Sequence, residues 1–202
     1  MDVPRILEAA SLLVPESTAA DDDLTMRDVW DCLAQDDWEF ALTLLEEHRG
    51  GPALPLAFWE ELADTARQLR MERSTAWCHW RAYETRNGVI RAELALAEDS
   101  PRRTPVPGTG VLRPLWDIGH RTPTGDTAFA IASLWVEGQD ALEPGGRATV
   151  RLAPLTPSLW GHLRPGRRFT MHERRPVAGT AVVLEVRPPA GADNEGKHLA
   201  MG

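Results

Sequence analysis

The stretch "TMHERRPVAGTAVVLEV" at residues 170–186 places two apolar segments around a short charged run. The run from Glu173 to Arg175 leads into Pro176, and Gly179 precedes an almost uninterrupted aliphatic segment. Proline restricts the backbone at a turn, and glycine permits a bulge or a close approach of two chains. The stretch therefore predicts two neighbouring strands joined by a charged turn. It leaves open whether the arginines form a site or a solvated corner.

Similar short apolar segments, separated by turn residues, precede this stretch. They are "VLRPLWDI" (111–118), "AFAIASLWVE" (128–137), "RATVRLAPL" (147–155) and residues 168–173. The segment at 128–137 is predicted to be a strand that is buried on much of both faces. Five or six short strands at regular spacing, without helical stretches between them, indicate a small antiparallel barrel.

The first half of the chain has a helical pattern instead. Apolar residues recur at three- and four-residue spacing from Arg27 onward, and a short helix is predicted at 4–13. Asp37 is predicted to cap one helix, and Gly50-Gly51-Pro52 to end it. The last helix is expected to end near Gly88, with residues 89–96 as a possible extension of it.

Tryptophans are concentrated in this helical half. The stretch "AQDDWEFALTLLEE" (34–47) resembles the middle of a tetratricopeptide repeat, with Asp36 in place of the usual glycine. That resemblance implies stacked helical hairpins. Tryptophans at helical spacing are typical of a core, and an aromatic groove for a protein partner is the alternative. Trp59, Trp77 and Trp80 are the candidates for such a groove.

The predicted fold class is α+β, with N-terminal α-helical hairpins followed by a small antiparallel β-barrel. We assign the helical domain to residues 1–97 and the barrel to residues 111–187. "EDSPRRTPVPGTG" at 98–110 is rich in proline and glycine and is predicted to be the linker. Residues 188–202 are predicted to be a polar tail.

The order of elements in residues 140–186 resembles the third, C-terminal β-barrel domain of the elongation factor Tu family. A Pro-Gly turn at 143–146 precedes the alternating strand "RATVRLAPLTP", and "GRRFTMHE" (166–173) then leads into "RRPVAGT" (174–180). The resemblance implies a closed barrel and a link to translation and tRNA. The chain departs from the family at loop 119–127, at Gly179-x-Ala181, and in having no evident first strand.

Motifs for nucleotide chemistry are missing from the sequence. Gly196-Lys197, the one Gly-Lys pair, is followed by His198 and does not match the phosphate-binding loop of a GTPase. The spacings typical of a metal site are missing too, so no nucleotide, metal or other cofactor is expected. His120 with Asp126 could flank a loop pocket, which is the enzyme hypothesis. Loop histidines are more often ordinary hydrogen-bonding residues.

Charge is distributed unevenly along the chain. Residues 1–99 carry 21 acidic and 9 basic residues, a net charge of −12, whereas residues 100–202 carry a net charge of +4. The positive charge of the barrel half is almost all arginine, which makes bidentate contacts with carboxylates and phosphates. The candidate partner-binding arginines are Arg113, Arg121, Arg151, Arg167, Arg168, Arg174 and Arg175. The alternative is a compositional preference for arginine over lysine.

These patterns favour a non-enzymatic protein that binds another protein, of a bacterial regulatory or toxin-immunity type. RNA binding through the arginines of the barrel is the alternative. No apolar run is long enough to span a membrane, and the first residues lack the pattern of a signal peptide. A cytoplasmic protein without a membrane partner is therefore expected, and its two cysteines, Cys32 and Cys78, fit a reducing compartment.

Overall fold

The structure is a computed structural model that describes residues 3–14, 26–47, 54–98 and 104–189. It divides the chain into two compact units, a helical unit that ends at Arg86 and a β unit from Asn87 to Pro189. The predicted helix end at Gly50-Gly51-Pro52 and the predicted polar tail lie outside the described residues, apart from Pro188 and Pro189. The α+β fold class is confirmed.

The described residues form five α-helices. They are α1 (Val3–Leu12), α2 (Met26–Ala34), α3 (Trp38–Glu47), α4 (Leu56–Gln68) and α5 (Glu72–Asn87). Each of the first four helices turns apolar residues toward one shared core, as the three- and four-residue spacing predicts. Leu7, Leu42, Phe58 and Leu62 are among its fully buried side chains. No helix of the described ranges is long and apolar enough to cross a membrane.

The corner between α2 and α3 is built from two aspartates. Asp36 has a φ of 58°, in the left-handed region that favours glycine. The backbone N–H of Asp37 donates to the Cys32 carbonyl at 3.0 Å, which closes the end of α2. The Asp37 carboxylate then accepts a hydrogen bond from the Phe40 N–H at 3.4 Å. The prediction that Asp37 caps α3 is therefore confirmed.

Six of the eight strands close into an antiparallel barrel. The strands are β1 (Val89–Leu96), β2 (Val106–Pro107), β3 (Leu115–Asp117), β4 (Ala130–Val136), β5 (Ala141–Leu142), β6 (Arg147–Pro154), β7 (Arg168–His172) and β8 (Val177–Arg187). Their order around the barrel is β1-β6-β4-β3-β7-β8, and β2 and β5 form a separate two-stranded sheet. Closure leaves the barrel no open edge that could pair with another chain.

The possible extension of the last helix through residues 89–96 is wrong. This segment is β1, which pairs with β6 on one side and with β8 on the other. Gly88 adopts a φ of 89° at the end of α5, and an added Cβ there would lie 2.5 Å from the Arg187 carbonyl oxygen. Pairing with two neighbouring strands overrides the helix-favouring alanine, leucine and glutamate of this segment. β1 also supplies the first strand of the barrel, which the sequence left without a candidate.

Part of the predicted linker belongs to the β unit. Val106 is fully buried and lies opposite Leu142 in the pairing of β2 with β5. Residues 99–103 lie outside the described ranges. β3 is shorter than the predicted strand at 111–118, and it begins directly after Pro114, which has no N–H to donate to a ladder.

Alternate residues of the barrel strands form its core. Leu94, Leu134 and Leu152 are fully buried, and Trp116 packs against Phe169 with 5.3 Å between ring centroids. The Trp116 indole N–H donates to the Ala132 carbonyl at 3.2 Å, so its buried polar atom is satisfied. The interior of the barrel is thus filled with side chains.

Gly179 lies where β8 approaches β1 most closely. An added Cβ at this position would stand 2.8 Å from the Ala95 carbonyl oxygen and 3.2 Å from the side chains of Leu94 and Leu96. Next to it, β8 has a bulge, because Met171 pairs with Gly179 while His172 pairs with Val177. Of the two alternatives that the sequence predicted for Gly179, a bulge or a close approach, the close approach is confirmed at this residue, and the bulge lies directly beside it.

We expect Gly179→Ala to lower the free energy of unfolding by about 2 kcal/mol, because backbone has to shift to admit the new methyl group. Chemical denaturation of the whole protein measures the change. Thr180→Ala is the matched control, since Thr180 is the exposed neighbour of Gly179 in β8. Equal stabilities of the two variants would contradict the close approach.

Candidate functional site

The outer surface of the barrel carries a ladder of ion pairs across four strands. Arg91 makes two hydrogen bonds to Glu137, at 3.0 and 2.8 Å, and one to Glu185 at 3.2 Å. Arg151 donates to the same Glu137 at 2.6 Å. The strand register produces this arrangement, because Arg91 lies opposite Arg151 on one side and Glu185 on the other. We call these four residues the ion-pair ladder.

The shared carboxylate of the ladder is held in its charged form. Burial by itself would raise the pKa of Glu137, but the hydrogen bonds and charges of Arg91 and Arg151 outweigh it and lower that pKa. The same hydrogen bonds to Glu137 raise the pKa of Arg91. Arg151 was predicted to contact a partner, but its guanidinium forms an ion pair with Glu137 on the surface of the barrel.

Arg121 also has a partner within the barrel. Its guanidinium lies 3.2 Å from the Asp117 carboxylate and donates to the His120 carbonyl at 2.8 Å. Burial alone would raise the pKa of Asp117, but hydrogen bonds from the Gly119 N–H and from Arg121, with the charges of Arg121 and His172, lower it. Arg121 therefore braces the end of β3 and the loop that follows.

The other predicted arginines have no such partner. They are Arg113, Arg167, Arg168, Arg174 and Arg175, all of them exposed. Within the described part of the chain, no carboxylate lies within ion-pair distance of any of these five guanidinium groups. The structure thus separates the predicted set into arginines that are neutralised and arginines that are available to a partner.

An exposed apolar surface extends over β3, the start of β4, the end of β7 and the start of β8. Leu115 lies opposite Ile131 on β4 and opposite His172 on β7, and the Phe129 ring lies 4.8 Å from the His172 ring. Phe129, Ile131 and Val177 are 37%, 40% and 46% exposed. We call this surface, made of Leu115, Phe129, Ile131, His172 and Val177, the β3–β7 face.

Strand alternation places arginines at both ends of this face. Arg168 precedes His172 by four residues in β7 and so follows the outward period of that strand, and the exposed Arg113 lies just before β3 begins. Arg174 and Arg175 belong to the turn after His172. His172 Nδ1 donates to the Arg175 carbonyl at 2.9 Å, and its Nε2 lies 2.8 Å from the Thr170 hydroxyl oxygen.

The sequence did not single out the β3–β7 face. The prediction that residues 128–137 are buried on much of both faces is confirmed from Ala132 to Val136. At the start of the strand, however, Phe129 and Ile131 are exposed while Ala130 and Ala132 are buried. The alternation of large apolar residues with alanines at Phe129–Ala132 is the sequence pattern that could have indicated an exposed side of this strand. Only the closed barrel shows that the alanine side is the inner one, where little space remains.

His120 and Asp126, the residues of the enzyme hypothesis, have separate partners. His120 Nε2 lies 2.8 Å from the Leu159 carbonyl oxygen, and the Asp126 carboxylate accepts from the Thr124 hydroxyl at 2.8 Å. The His120 ring packs edge to face against His162, with 4.8 Å between centroids. These contacts hold the loop after β3 to the 3-10 helix at Pro157–Trp160. Among the described residues, no three His, Cys, Asp or Glu are placed to hold a metal ion.

The candidate tryptophans of the helical unit are mostly interior. Trp59 and Trp80 are 1% and 8% exposed, and Trp77 is half-buried with its indole N–H 3.4 Å from the Glu46 carbonyl oxygen. The Arg81 guanidinium lies over the Trp59 and Trp77 rings, at 4.7 and 5.5 Å from their centroids. In this conformation, therefore, Trp59 and Trp80 offer no surface for a partner-binding groove.

A half-buried carboxylate, that of Glu46, lies beside Cys78 in the same unit and was missed from the sequence. The Cys78 thiol lies 3.6 Å from Glu46 Oε1. Burial raises the pKa of Glu46 to about 7, against hydrogen bonds from Ser74 and Cys78 that lower it. Burial and the neighbouring Glu46 raise the pKa of Cys78, so its thiol stays protonated and is a poor nucleophile.

No protein-family model and no curated protein matches this chain. Function therefore has to be inferred from the geometry of the β3–β7 face and its arginines.

We expect Glu137→Gln to lower the free energy of unfolding by about 1–2 kcal/mol near neutral pH, because Arg91 and Arg151 lose their shared charge. The pKa of Glu137 is lower in the folded protein than in the unfolded chain. Its charge therefore stabilises the fold above the ordinary glutamate pKa, and this stabilisation disappears as the pH falls through the folded pKa. Denaturation curves at several pH values should show wild type and variant converging below about pH 4. Glu143→Gln, at an exposed turn, is the control. If the difference in free energy of unfolding between wild type and Glu137→Gln did not change with pH, the ion-pair ladder would be contradicted.

We expect Glu46→Gln to stabilise the protein above neutral pH. The folded pKa of about 7 lies above the unfolded value, so wild-type stability falls as the pH rises from the unfolded pKa to the folded one. A neutral glutamine removes that fall, so the variant should have a free energy of unfolding about 2 kcal/mol higher than wild type near pH 8. Near pH 4 the two stabilities should be similar. Glu47→Gln, the exposed neighbour, should leave the pH profile unchanged; an identical profile for both variants would refute the half-buried carboxylate.

Proposed function

We propose that this chain is a non-enzymatic protein whose β3–β7 face binds an acidic, partly apolar surface of another protein. The observation that carries this proposal is the contrast between the two groups of arginines. Arg91 and Arg151 are neutralised within the ion-pair ladder, whereas Arg113, Arg167, Arg168, Arg174 and Arg175 have no carboxylate partner in the part of the chain that the structure describes. A partner's carboxylates would supply the missing charge.

The composition of this face fits a protein interface. Such interfaces place apolar and aromatic residues at the centre and charged residues at the rim, and arginine is enriched among the residues that contribute most to binding. Phe129 and Ile131 occupy the centre here, and Arg113, Arg168 and Arg174 lie toward the ends. The net charge of the whole chain is −8, so attraction to an acidic partner has to come from this local cluster.

A relation of the barrel to the third domain of elongation factor Tu is part of the same proposal. Six antiparallel strands that close on themselves support it, as does the turn at Pro144-Gly145, where Gly145 has a φ of 73°. We place the protein in the bacterial cytoplasm, in a regulatory or immunity-type role. Fold likeness alone does not specify a partner, so this setting rests on analogy.

RNA binding is the second candidate, and the adjacent unpaired Arg167 and Arg168 at the start of β7 favour it. Arginines that contact phosphates release counterions, so RNA affinity falls steeply with salt. The exposed apolar centre favours a protein instead, because a phosphate backbone does not cover aliphatic side chains. A tRNA titration at several salt concentrations separates the two: tight binding with a steep salt slope supports RNA and counts against our first choice.

A photo-crosslinking amino acid at position 131 should capture the partner in the source cell. The same amino acid at Leu184, which is 47% exposed on β8 outside the face, is the control. We expect one acidic protein to be crosslinked from position 131 and not from position 184. Equal labelling from both positions, or no protein labelled from position 131, would overturn the proposed face.

Ile131→Asp should weaken binding of the captured partner about 10-fold or more, because a carboxylate would be desolvated at the apolar centre beside the partner's own negative charge. Leu184→Asp should bind as the wild type does. Both substitutions are at exposed positions, so the melting temperatures of both variants should stay within a few degrees of wild type. Calorimetry with the purified pair measures the affinities, and equal losses in both variants would argue against the face.

A further inference from the structure

A cavity opens at one end of the β3–β7 face, where two chain segments separate. β3 and β7 are paired at Leu115 and His172, but the residues beyond this pair do not continue the ladder. Residues 112–115 line one side of the opening and residues 171–174 the other. The space between them has a volume of about 160 Å³.

The lining of this cavity combines apolar and basic groups. The apolar residues Leu112 and Leu115 line it, with Met171 of the barrel core behind them, and Arg113 and Arg174 also line the space. A volume of this size is comparable to cavities that bind one benzene ring, so it suits a single aromatic or branched aliphatic side chain. The cavity therefore has room for one residue of a partner, beside two guanidinium groups.

The two arginines are not neutralised locally. Neither Arg113 nor Arg174 has an ion pair with another residue of the described ranges. Glu173 also lines the cavity, so attraction of an anion depends on the combined charge of Arg113, Arg174 and the adjacent Arg175. Two arginines that line one cavity, without an ion pair among the described residues, favour a carboxylate as the ligand there.

Arg174 is held in place by its turn. It has a φ of 60°, the left-handed conformation that a glycine would adopt without cost. The Glu173 N–H donates to the Pro176 carbonyl at 3.1 Å, and His172 Nδ1 lies 2.9 Å from the Arg175 carbonyl oxygen. The turn thus maintains a strained conformation that a glycine would relieve, and strain of this kind is often found at binding sites.

We infer that this cavity binds one aromatic or branched aliphatic side chain whose neighbouring carboxylate pairs with Arg113 and Arg174. The ligand class is an acidic, apolar segment of a protein partner. This inference rests on the proposed function, since it names the chemistry that the β3–β7 face recognises. The apolar lining selects the side chain, and the two guanidinium groups select the charge beside it.

The molecule 3-phenylpropanoate is a direct probe, because it joins one phenyl ring to one carboxylate. We expect it to shift the backbone amide resonances of Arg113, Leu115, His172 and Arg174 in the NMR spectrum of the full chain, with saturation at a Kd on the order of 1–5 mM. The neutral 3-phenylpropanamide, propanoate without a ring, and inorganic phosphate should each bind about 5-fold more weakly or less. Phosphate or propanoate that binds as well as the probe would show an anion site without side-chain recognition and would overturn the inference.

Arg113→Ala and Arg174→Gly should each weaken binding of 3-phenylpropanoate about 5-fold. Arg174→Gly also relieves the positive φ, so this variant should keep the wild-type melting temperature while it loses binding, and a thermal melt checks this. Arg168→Ala, which removes an unpaired arginine at the other end of β7, is the matched control and should bind as wild type. Equal affinities of all three variants, or no shift of the four amides in the wild-type protein, would refute the cavity as a binding site.

The probe also separates this inference from the proposed function. Ile131→Asp should keep its affinity for 3-phenylpropanoate, because Ile131 is not part of the cavity lining. If the probe does not bind but the partner is still crosslinked from position 131, the cavity is refuted as a binding site and the β3–β7 face is supported as a protein interface. If the probe binds while position 131 captures no partner, the face fails as a protein interface and the cavity remains a site for small aromatic carboxylates.

Discussion

Closure of the barrel by β1 is the constraint on which the rest of the β unit depends. Without β1, the sheet would end at β6 on one side and at β8 on the other. β1 pairs along its length with both of these strands and so closes the barrel. The close approach of Gly179 to the Ala95 carbonyl makes this contact possible on the β8 side. An unclosed sheet would leave two edges exposed and an apolar core open to water. The arrangement of every outward side chain follows from the resulting register.

That register divides the surface of the barrel into two chemically different parts. Where β4, β6, β1 and β8 run side by side, cross-strand neighbours are arginines and glutamates, and they neutralise one another in the ion-pair ladder. Around β3 and β7 the cross-strand neighbours are leucine, isoleucine and histidine. Among the described residues, no carboxylate pairs with the arginines there. A surface that leaves both apolar area and positive charge uncovered is the part of the unit best suited to a partner.

The helical unit illustrates how burial changes the chemistry of ordinary residues. Cys78 and Glu46 occur in unremarkable helical sequence, yet burial keeps the thiol protonated and raises the pKa of the carboxyl. Arg81 lies over two tryptophan rings, where its charge is in contact with aromatic faces. These features serve the packing of the unit. They leave the β3–β7 face as the surface with the stronger claim to a binding role.

Sequence patterns by themselves determined the α+β class, the Asp37 cap, most strands and the special position of Gly179, because each depends on neighbours within a few residues. They did not identify β1, whose alanines and leucines favour a helix until two strands pair with it. Seven arginines were equivalent candidates in the sequence. Only the tertiary structure decided that Arg151 is neutralised, that Arg113 and Arg174 line one cavity, and that Ile131 faces outward. Cross-strand register brings these distant residues together, and no local pattern specifies that register.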